Sequence, residues 1–281
     1  MTTTPEWPQY SIECTDLTAS EQVAVERLNP ELAALVADGA ITSWWFIRKF
    51  PGLRLRYLPA DDRARRHLET LLDDLTAGGS ITGWTPGIYE PEVHAFGGPA
   101  GMDVAHELFQ QDSRSILDHL ARRRAAATGE PGPRELGILL FSVLMRGAGL
   151  DWYEQGDVWA RVAANRPAAD TTAGSDRLKN AVHRLMTTDA GPRSSLVAGG
   201  RLAALTDWIR AFDHAGRQLA DLNRRGLLER GLRAVIAHHV IFQWNRLGLS
   251  AADQGVLSNL AKEIVMGPRD STGPATKTGI A

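Results

Sequence analysis

The sequence predicts an α+β fold in which an N-terminal antiparallel sheet layer packs against a mostly α-helical C-terminal half. Two observations predict it: strand-like and helix-like segments alternate from Trp7 to Glu92, and no strand signal follows Glu92. The 281 residues, of which 43% are hydrophobic, are enough to bury a substantial core. We expect an α+β subdomain at residues 1–94, a helical subdomain at 95–266 and a disordered tail at 267–281.

The N-terminal segments follow the order strand, helix, strand, strand, helix, strand. A first strand begins near Trp7, and the helix after it has apolar residues at helical spacing that Pro30 is expected to kink or split. The next two strands are joined by a tight link at Pro51 and Gly52, so they form an antiparallel hairpin. Asp61 is placed to cap the second helix, and a last strand follows it. This order is the split, ferredoxin-like β-α-β arrangement.

The remaining segments all have the helical period after the glycine-rich turn "HAFGGPAG". The first of them is a long amphipathic helix, and "PRELGILLFSVLMRGAG" is apolar enough to be a buried one. Ser250 is placed to cap the last helix.

Composition excludes several classes of protein. A formal net charge of -2 gives no overall attraction to nucleic acid or to an anionic membrane, so any anion site must be local. The single cysteine, Cys14, cannot form an internal disulfide or a cysteine-rich zinc site. No secretory signal or membrane span is evident. We expect a cytoplasmic protein without a metal or cofactor.

Arg54 and Arg56 point to one side of the predicted third strand, because residues two apart share a face. Such alternation usually means that the arginines cover a solvent face. The partner strand, however, is apolar or aromatic on both faces over residues 44–47, so a wholly solvated face would expose large rings. The helical half is the obvious cover. Arginines in the resulting cleft, with Arg48 as a further member, would bind a carboxylate or phosphate strongly.

The stretch "AHHVIFQWNRLGL" supplies a candidate proton-transfer group. Imidazole titrates near neutral pH, and His239 lies four residues before Gln243 on one helical face. A lone histidine on a helix is more often a packed side chain. His238 and His239 point in different directions, so at most one of them faces the cleft. The sequence has no nucleophile elbow and no phosphate-binding loop.

Three stretches together resemble a known family. "WWFIRKF…LRLRYL", "IYEPEVHAFGG" with "AHELFQQDSRSIL", and "HHVIFQWNRLGLS" occur in that order from Trp44 to the last helix. They resemble the thiopeptide-type bacteriocin biosynthesis proteins, which correspond to the C-terminal elimination domain of class I lanthipeptide dehydratases, here as a free-standing chain. Each stretch alone is weak, and the three in order are fairly specific.

The resemblance implies a lyase. In split dehydratases a separate subunit uses glutamyl-tRNA to esterify serine or threonine of a precursor peptide with glutamate, and the elimination component expels the glutamate. Dehydroalanine or dehydrobutyrine remains. The implied partners are therefore the precursor peptide and that glutamylating subunit, with no direct nucleic-acid binding and no membrane.

The resemblance also implies residue roles. Arg54 and Arg56 match the family's "LRLR" pair, which is implicated in holding the glutamyl group, and His239 is the nearest candidate for the base. In many dehydratases the histidine lies two or four residues before the asparagine of the "NRL" motif. This chain departs from that pattern, because those two positions hold Gln243 and Ile241. We expect further substrate contacts from residues of the three stretches: Arg48, Tyr89, Gln243, Asn245 and Arg246.

Two other functions remain open. Pyridine synthases of thiopeptide pathways resemble the same fold and join two dehydroalanines in a cycloaddition. That reaction needs a site of the right shape and a few hydrogen bonds, which Trp244 and Gln243 could supply. The domain could also be a docking module, whose exposed strand edge pairs with an extended peptide. RNA recognition by the sheet is disfavoured, because the protein is not basic and lacks the corresponding motif.

Overall fold

The computed structural model of the chain describes residues 7–125, 129–166 and 176–267. Its sheet has four antiparallel strands in the order β2-β3-β1-β4. The strands are β1 (Pro8–Glu13), β2 (Ile41–Lys49), β3 (Gly52–Pro59) and β4 (Gly83–Ile88). The predicted α+β class and the ferredoxin-like strand order are confirmed.

The helices between the strands cover one face of the sheet. They are α1 (Leu17–Val23), α2 (Asn29–Ala37) and α3 (Asp62–Ala77). The break predicted at Pro30 lies slightly earlier, because a π-helical turn at Ala24–Leu28 separates α1 from α2. Asp61 caps α3 as predicted, since its side chain accepts a hydrogen bond from the backbone N–H of Arg63.

The hairpin between β2 and β3 is tight, and its link is Phe50-Pro51, one residue earlier than predicted. Gly52 therefore begins β3. A Cβ atom at this position would collide with the carbonyl oxygen of Ile12 in β1, so only glycine lets the hairpin approach β1 so closely.

The rest of the described chain is helical, as predicted. Gly97 and Gly98 have φ angles of 89° and 93°, which glycine adopts at no steric cost, and they turn the chain into the longest helix. Ser250 caps the last helix as predicted by accepting a hydrogen bond from the N–H of Asp253. The helices are α4 (Pro99–Ala125), α5 (Pro133–Gly147), α6 (Trp152–Asn165), α7 (Asp176–Thr187), α8 (Thr206–Arg224), α9 (Leu232–Leu247) and α10 (Ala251–Met266).

Helices α4 and α9 pack against β2 and cover the second face of the sheet. Between them and the sheet lies a group of buried side chains that we call the aromatic cluster. Its members are Trp7, Trp45, Ile47, Tyr89, Phe96, Met102, Ala105, Phe109 and Phe242. The division of the chain at residue 94 stays a prediction, and the predicted disordered tail lies outside the described residues except for Gly267.

In the described part of the chain, no helix is both long enough and apolar enough to cross a membrane.

Candidate functional site

Strand β3 places Arg54 and Arg56 on the face that meets the helical half. Arg56 lies opposite Trp45 of β2 and Gln9 of β1, and Arg54 lies opposite Ile47. Because paired residues in an antiparallel ladder share a face, both arginines border the aromatic cluster. The predicted alternation of β3, with its leucines on the other face, is therefore observed.

The guanidinium of Arg56 lies between two aromatic rings. Its central carbon is 4.2 Å from the ring centroid of Trp45 and 4.1 Å from that of Tyr89. Its Nε donates a 2.7 Å hydrogen bond to Oε1 of Gln9, and no described carboxylate forms an ion pair with it. The residue is only 8% exposed. Burial, which removes water from the charged form, lowers the pKa of Arg56 to about 10.

Arg54 adds a second charge without a counter-ion. Its side chain is partly exposed, and within the described residues it makes no hydrogen bond or ion pair. Its charge also contributes to the lowered pKa of Arg56, so the two guanidinium groups are close enough to repel each other. An anion that bound between them would remove this repulsion.

His106 of α4 reaches the same site, although the sequence did not single it out. Its ring lies 4.9 Å from the ring of Trp7 and 5.7 Å from that of Tyr89, measured between centroids. Its Nε2 is 3.4 Å from the hydroxyl oxygen of Tyr89. Burial, followed by the charge of Arg56, lowers the pKa of His106 to about 4, so the imidazole is neutral at pH 7.

A helical pattern could have identified His106. Met102, Ala105 and Phe109 belong to the aromatic cluster and lie three or four residues apart, so they define the face of α4 that meets the sheet. His106 lies on the same face. The sequence signal for this site residue was therefore a histidine among the apolar residues of that face.

Glu92, an acidic group near the arginines, is already engaged. Glu92 accepts a 3.0 Å hydrogen bond from Nε2 of His238, and this bond is the main cause that lowers the pKa of Glu92. The charges of Arg56 and Lys49 lower it further. Glu92 therefore stays ionised near the site without bonding to either arginine of β3.

Arg246 of α9 has the counter-ion that Arg56 lacks. Its Nε donates a 2.6 Å hydrogen bond to Oδ2 of Asp112, and both side chains are buried. The other carboxylate oxygen of Asp112 accepts a 2.8 Å bond from Nε1 of Trp208. The guanidinium of Arg246 lies 4.4 Å from the ring centroid of Phe109, whose ring in turn packs 4.7 Å from that of Trp45. Two aromatic rings thus lie between the two arginines.

Two further α9 residues share the buried face of Arg246. His239 is 1% exposed, and neither of its ring nitrogens has a hydrogen-bond partner in the described structure. Burial is the main cause that lowers the pKa of His239 to about 3. Gln243 is fully buried, and its amide lies close enough to Asp112 to favour the ionised form of that carboxyl.

The other two expected contact residues lie apart from the β3 arginines. Arg48 donates hydrogen bonds of 2.8 Å to Glu21 of α1 and to the backbone carbonyl of Arg246. Asn245 accepts a 2.9 Å hydrogen bond from Gln254 of α10. The structure therefore brings together Arg54, Arg56 and Tyr89, and it adds His106.

The site consists of one buried arginine, Arg56, and one partly exposed arginine, Arg54, beside the aromatic cluster. A cleft of about 290 Å³ between α4 and α8 and another of about 500 Å³ beside α7 include none of its residues. Across residues 7–125, 129–166 and 176–267, no group of three histidine, cysteine or carboxylate side chains is arranged to hold a metal ion. What the site offers is two cations and a neutral imidazole, which suit an anionic substrate.

Residues 7–265 match the family model described as lantibiotic biosynthesis dehydratase C-term. None of the curated proteins matches the sequence.

Several solved structures share the fold, among them three whose identities are so low that the likeness shows the fold alone. The tRNA-dependent lantibiotic dehydratase MibB from Microbispora sp. 107891 is 19% identical with a TM-score of 0.68, over 94% of this chain and 28% of that one. TsrL is 17% identical with a TM-score of 0.60, over 93% and 94%. The pyridine synthase TbtD from thiomuracin biosynthesis is 16% identical with a TM-score of 0.56, over 93% and 98%. The chain spans less than a third of the length of MibB.

Proposed function

This chain belongs to the family of lantibiotic dehydratase C-terminal domains, and from that premise we propose that it expels glutamate from a glutamylated precursor peptide. The substrate is serine or threonine whose hydroxyl carries a glutamyl ester, and the product is dehydroalanine or dehydrobutyrine. The partners in this proposal are the precursor peptide and a separate subunit that attaches the glutamate from glutamyl-tRNA.

One observation carries the proposal: Arg54 and Arg56 lie side by side without a described counter-ion. Leaving a buried cation unpaired is costly, so such a group in a native protein needs an explanation. A glutamyl group supplies the missing anion, because it has a free carboxylate and leaves as a second one. The ring walls of Trp45 and Tyr89 exclude water from Arg56, which strengthens its attraction for a carboxylate.

The elimination itself needs a base and an anion site. The base removes the α-proton of the esterified residue, and the electron pair of that C–H bond forms the Cα=Cβ double bond. The Cβ–O bond breaks, and glutamate leaves with its electron pair as a carboxylate. Arg54 and Arg56 stabilise the negative charge that develops on the leaving oxygen.

The alternative is cycloaddition of two dehydroalanines, as in a pyridine synthase. The observation that favours it is the apolar, aromatic character of the cluster beside the arginines, although its rings at Trp7, Trp45 and Tyr89 are buried in this structure. The predicted polar partners for that reaction, Gln243 and Trp244, are fully buried away from the surface. The arginine pair also has no role in joining two uncharged alkenes, so elimination is the better explanation of the site.

Two substrates distinguish these activities. The purified protein is incubated with a glutamylated precursor peptide and, separately, with a fully dehydrated one, and both products are measured by mass spectrometry. We expect the first peptide to lose glutamate and the second to remain unchanged. A glutamylated peptide that stays intact, together with cyclisation and leader loss in the dehydrated one, would replace the proposal with cycloaddition. Two unchanged peptides would favour a docking module.

A further inference from the structure

We propose that His106 is the base that accepts the α-proton of the glutamylated residue. The inference rests on the proposed elimination and goes beyond it, because it assigns the proton transfer to α4 and not to the histidines of α9. It is carried by three observations: the position of His106 relative to Arg56, the free nitrogen of its ring, and the placement of the other nearby histidines, of which His239 is buried and His238 is bonded to Glu92.

His106 and Arg56 contact the same aromatic rings. The guanidinium carbon of Arg56 lies about 4 Å from the ring centroids of Trp45 and Tyr89, and the ring of His106 lies 6.4 Å and 5.7 Å from the same two centroids. A glutamyl ester whose carboxylate bound Arg56 would therefore place its reacting carbon within the region that His106 borders.

The ring of His106 has one nitrogen free to accept a proton. Nε2 is the nitrogen that faces the hydroxyl oxygen of Tyr89, at 3.4 Å. Nδ1 has no hydrogen-bond partner among the described residues. It is also not among the buried nitrogen and oxygen atoms that lack a partner. In the tautomer in which Nε2–H donates to Tyr89, the lone pair of Nδ1 is available to the substrate. Tyr89 then also orients the imidazolium that forms.

The nearby histidines of α9 are less well placed. His239 is 1% exposed, packs against the rings of Phe96 and Phe109, and has no opening to the surface in the described structure. His238 lies at the rim, where its Nε2 is bonded to Glu92. Neither contacts Trp45 or Tyr89, the rings that hold Arg56.

The charge of Arg56 couples base strength to substrate binding. The titratable groups that face His106 are Arg56 of β3 and Tyr89 after β4, while Trp7, Trp45 and Phe109 pack against it without charge. In the empty site, burial and the repulsion from Arg56 hold the pKa of His106 at about 4. A bound glutamyl carboxylate neutralises Arg56, so the pKa of His106 rises and the imidazole becomes a stronger base in the complex. After elimination, Nδ1 returns its proton to solvent as glutamate leaves.

The test compares His106→Ala with the wild-type protein on a glutamylated precursor peptide, at saturating peptide and by mass spectrometry. General bases typically contribute about 10²- to 10⁴-fold, so we expect the elimination rate to fall by a factor in that range. Peptide affinity, measured separately by fluorescence anisotropy, should stay close to that of the wild type. His214→Ala, at an exposed histidine of α8, is the matched control and should retain the full rate.

Chemical rescue distinguishes a base from a structural residue. Imidazole added to His106→Ala should restore part of the rate, and the rescued rate should increase with the fraction of neutral imidazole as the pH rises. His106→Gln, which keeps a polar side chain, should be as slow as the alanine variant and should respond less to imidazole because the space is filled.

Each other outcome overturns the inference. Elimination by His106→Ala at the wild-type rate would remove His106 from the mechanism and leave the proposed function intact. A slow variant that binds peptide poorly and is not rescued would show a structural role. A wild-type protein that never releases glutamate would overturn both the inference and the proposed function.

Discussion

Arg246 and Arg56 are two buried arginines that each lie against an aromatic ring of the same cluster, and they differ in their counter-ions. Arg246 contacts Phe109 and bonds to Asp112 at 2.6 Å. Arg56 lies between Trp45 and Tyr89 and bonds only to the uncharged Gln9 among the described residues. The first arrangement has its counter-ion within the fold, and only Nη1 of Arg246 lacks a hydrogen-bond partner among the described residues. The second leaves a cation that a ligand can complete.

The difference separates a structural ion pair from a binding site. A buried pair whose partners are both present mainly fixes the packing of the helices that carry it, here α9 against α4. A buried cation without a partner destabilises the free protein, and that cost is recovered when an anion binds. Stability and activity should therefore respond in opposite ways when the two arginines are changed.

The largest stability effect is expected from Arg246→Met. The change leaves the carboxylate of Asp112 buried without its cation, and breaking such a pair typically costs about 3–5 kcal/mol. Urea denaturation measures the free energy of unfolding. Arg56→Met in the same assay should cost much less or stabilise the protein, since it removes an unpaired charge. Equal destabilisation by both variants would show that the two arginines do not differ in their contribution to stability.

The next effect is the pH dependence that His239 confers. Its pKa is about 3 in the folded protein and near 6.5 in the unfolded chain, so the unfolded state binds more protons between these values. The free energy of unfolding therefore falls as the pH drops below about 6.5. Between pH 7 and pH 5 this histidine should account for a loss of about 2 kcal/mol.

His239→Leu removes that loss, so the variant should be less sensitive to acid over this range than the wild type. His214→Leu changes an exposed histidine and should leave the acid sensitivity unchanged. Parallel pH profiles for wild type and His239→Leu would show that the ring of His239 is protonated as readily in the folded protein as in the unfolded chain.

A smaller effect is expected from free L-glutamate, the product of the proposed reaction. A ligand at ten times its Kd stabilises the folded state by about 1.4 kcal/mol. Thermal unfolding with sodium glutamate, compared with sodium chloride at equal ionic strength, should show this increase for the wild type. Arg56→Gln should lose it. Arg66→Gln, at an exposed arginine of α3, should keep it.

The smallest effect is expected at Arg48, a third arginine of the sheet, whose partner Glu21 is substantially exposed. The Glu21 side chain is 39% exposed, so water screens the pair even though Arg48 is 8% exposed, and a screened pair contributes about 1 kcal/mol or less. Glu21→Gln should therefore lower the free energy of unfolding by less than that amount and leave glutamate release unchanged. A strong loss of glutamate release would instead support a role for Arg48 in binding the substrate.

The sequence predicted the sheet and the arginine pair because both follow from short-range patterns. Residues two apart on a strand share a face, so Arg54 and Arg56 were placed together without knowledge of the fold. The hairpin link was predicted one residue late, because a glycine next to a proline looks like the turn itself. Gly52 instead lies within the ladder, where β1 approaches it.

The partners of the arginines could not be predicted in this way. Asp112 lies 134 residues from Arg246, and no local pattern connects them. Helix α9 is apolar on most of its surface, so the sequence did not show that His239 is sealed inside. His106 was missed although it lies in the apolar stripe of α4, because the sequence does not show that this stripe meets the arginine face of the sheet.

The most direct test of the proposed anion site is the rate of glutamate release by Arg56→Gln, measured by mass spectrometry on a glutamylated precursor peptide. We expect a fall of about 10²- to 10³-fold, the typical cost of removing one group that stabilises a developing anion, in a protein that unfolds no more easily than the wild type. A folded Arg56→Gln variant that releases glutamate at the wild-type rate would contradict the proposed anion site.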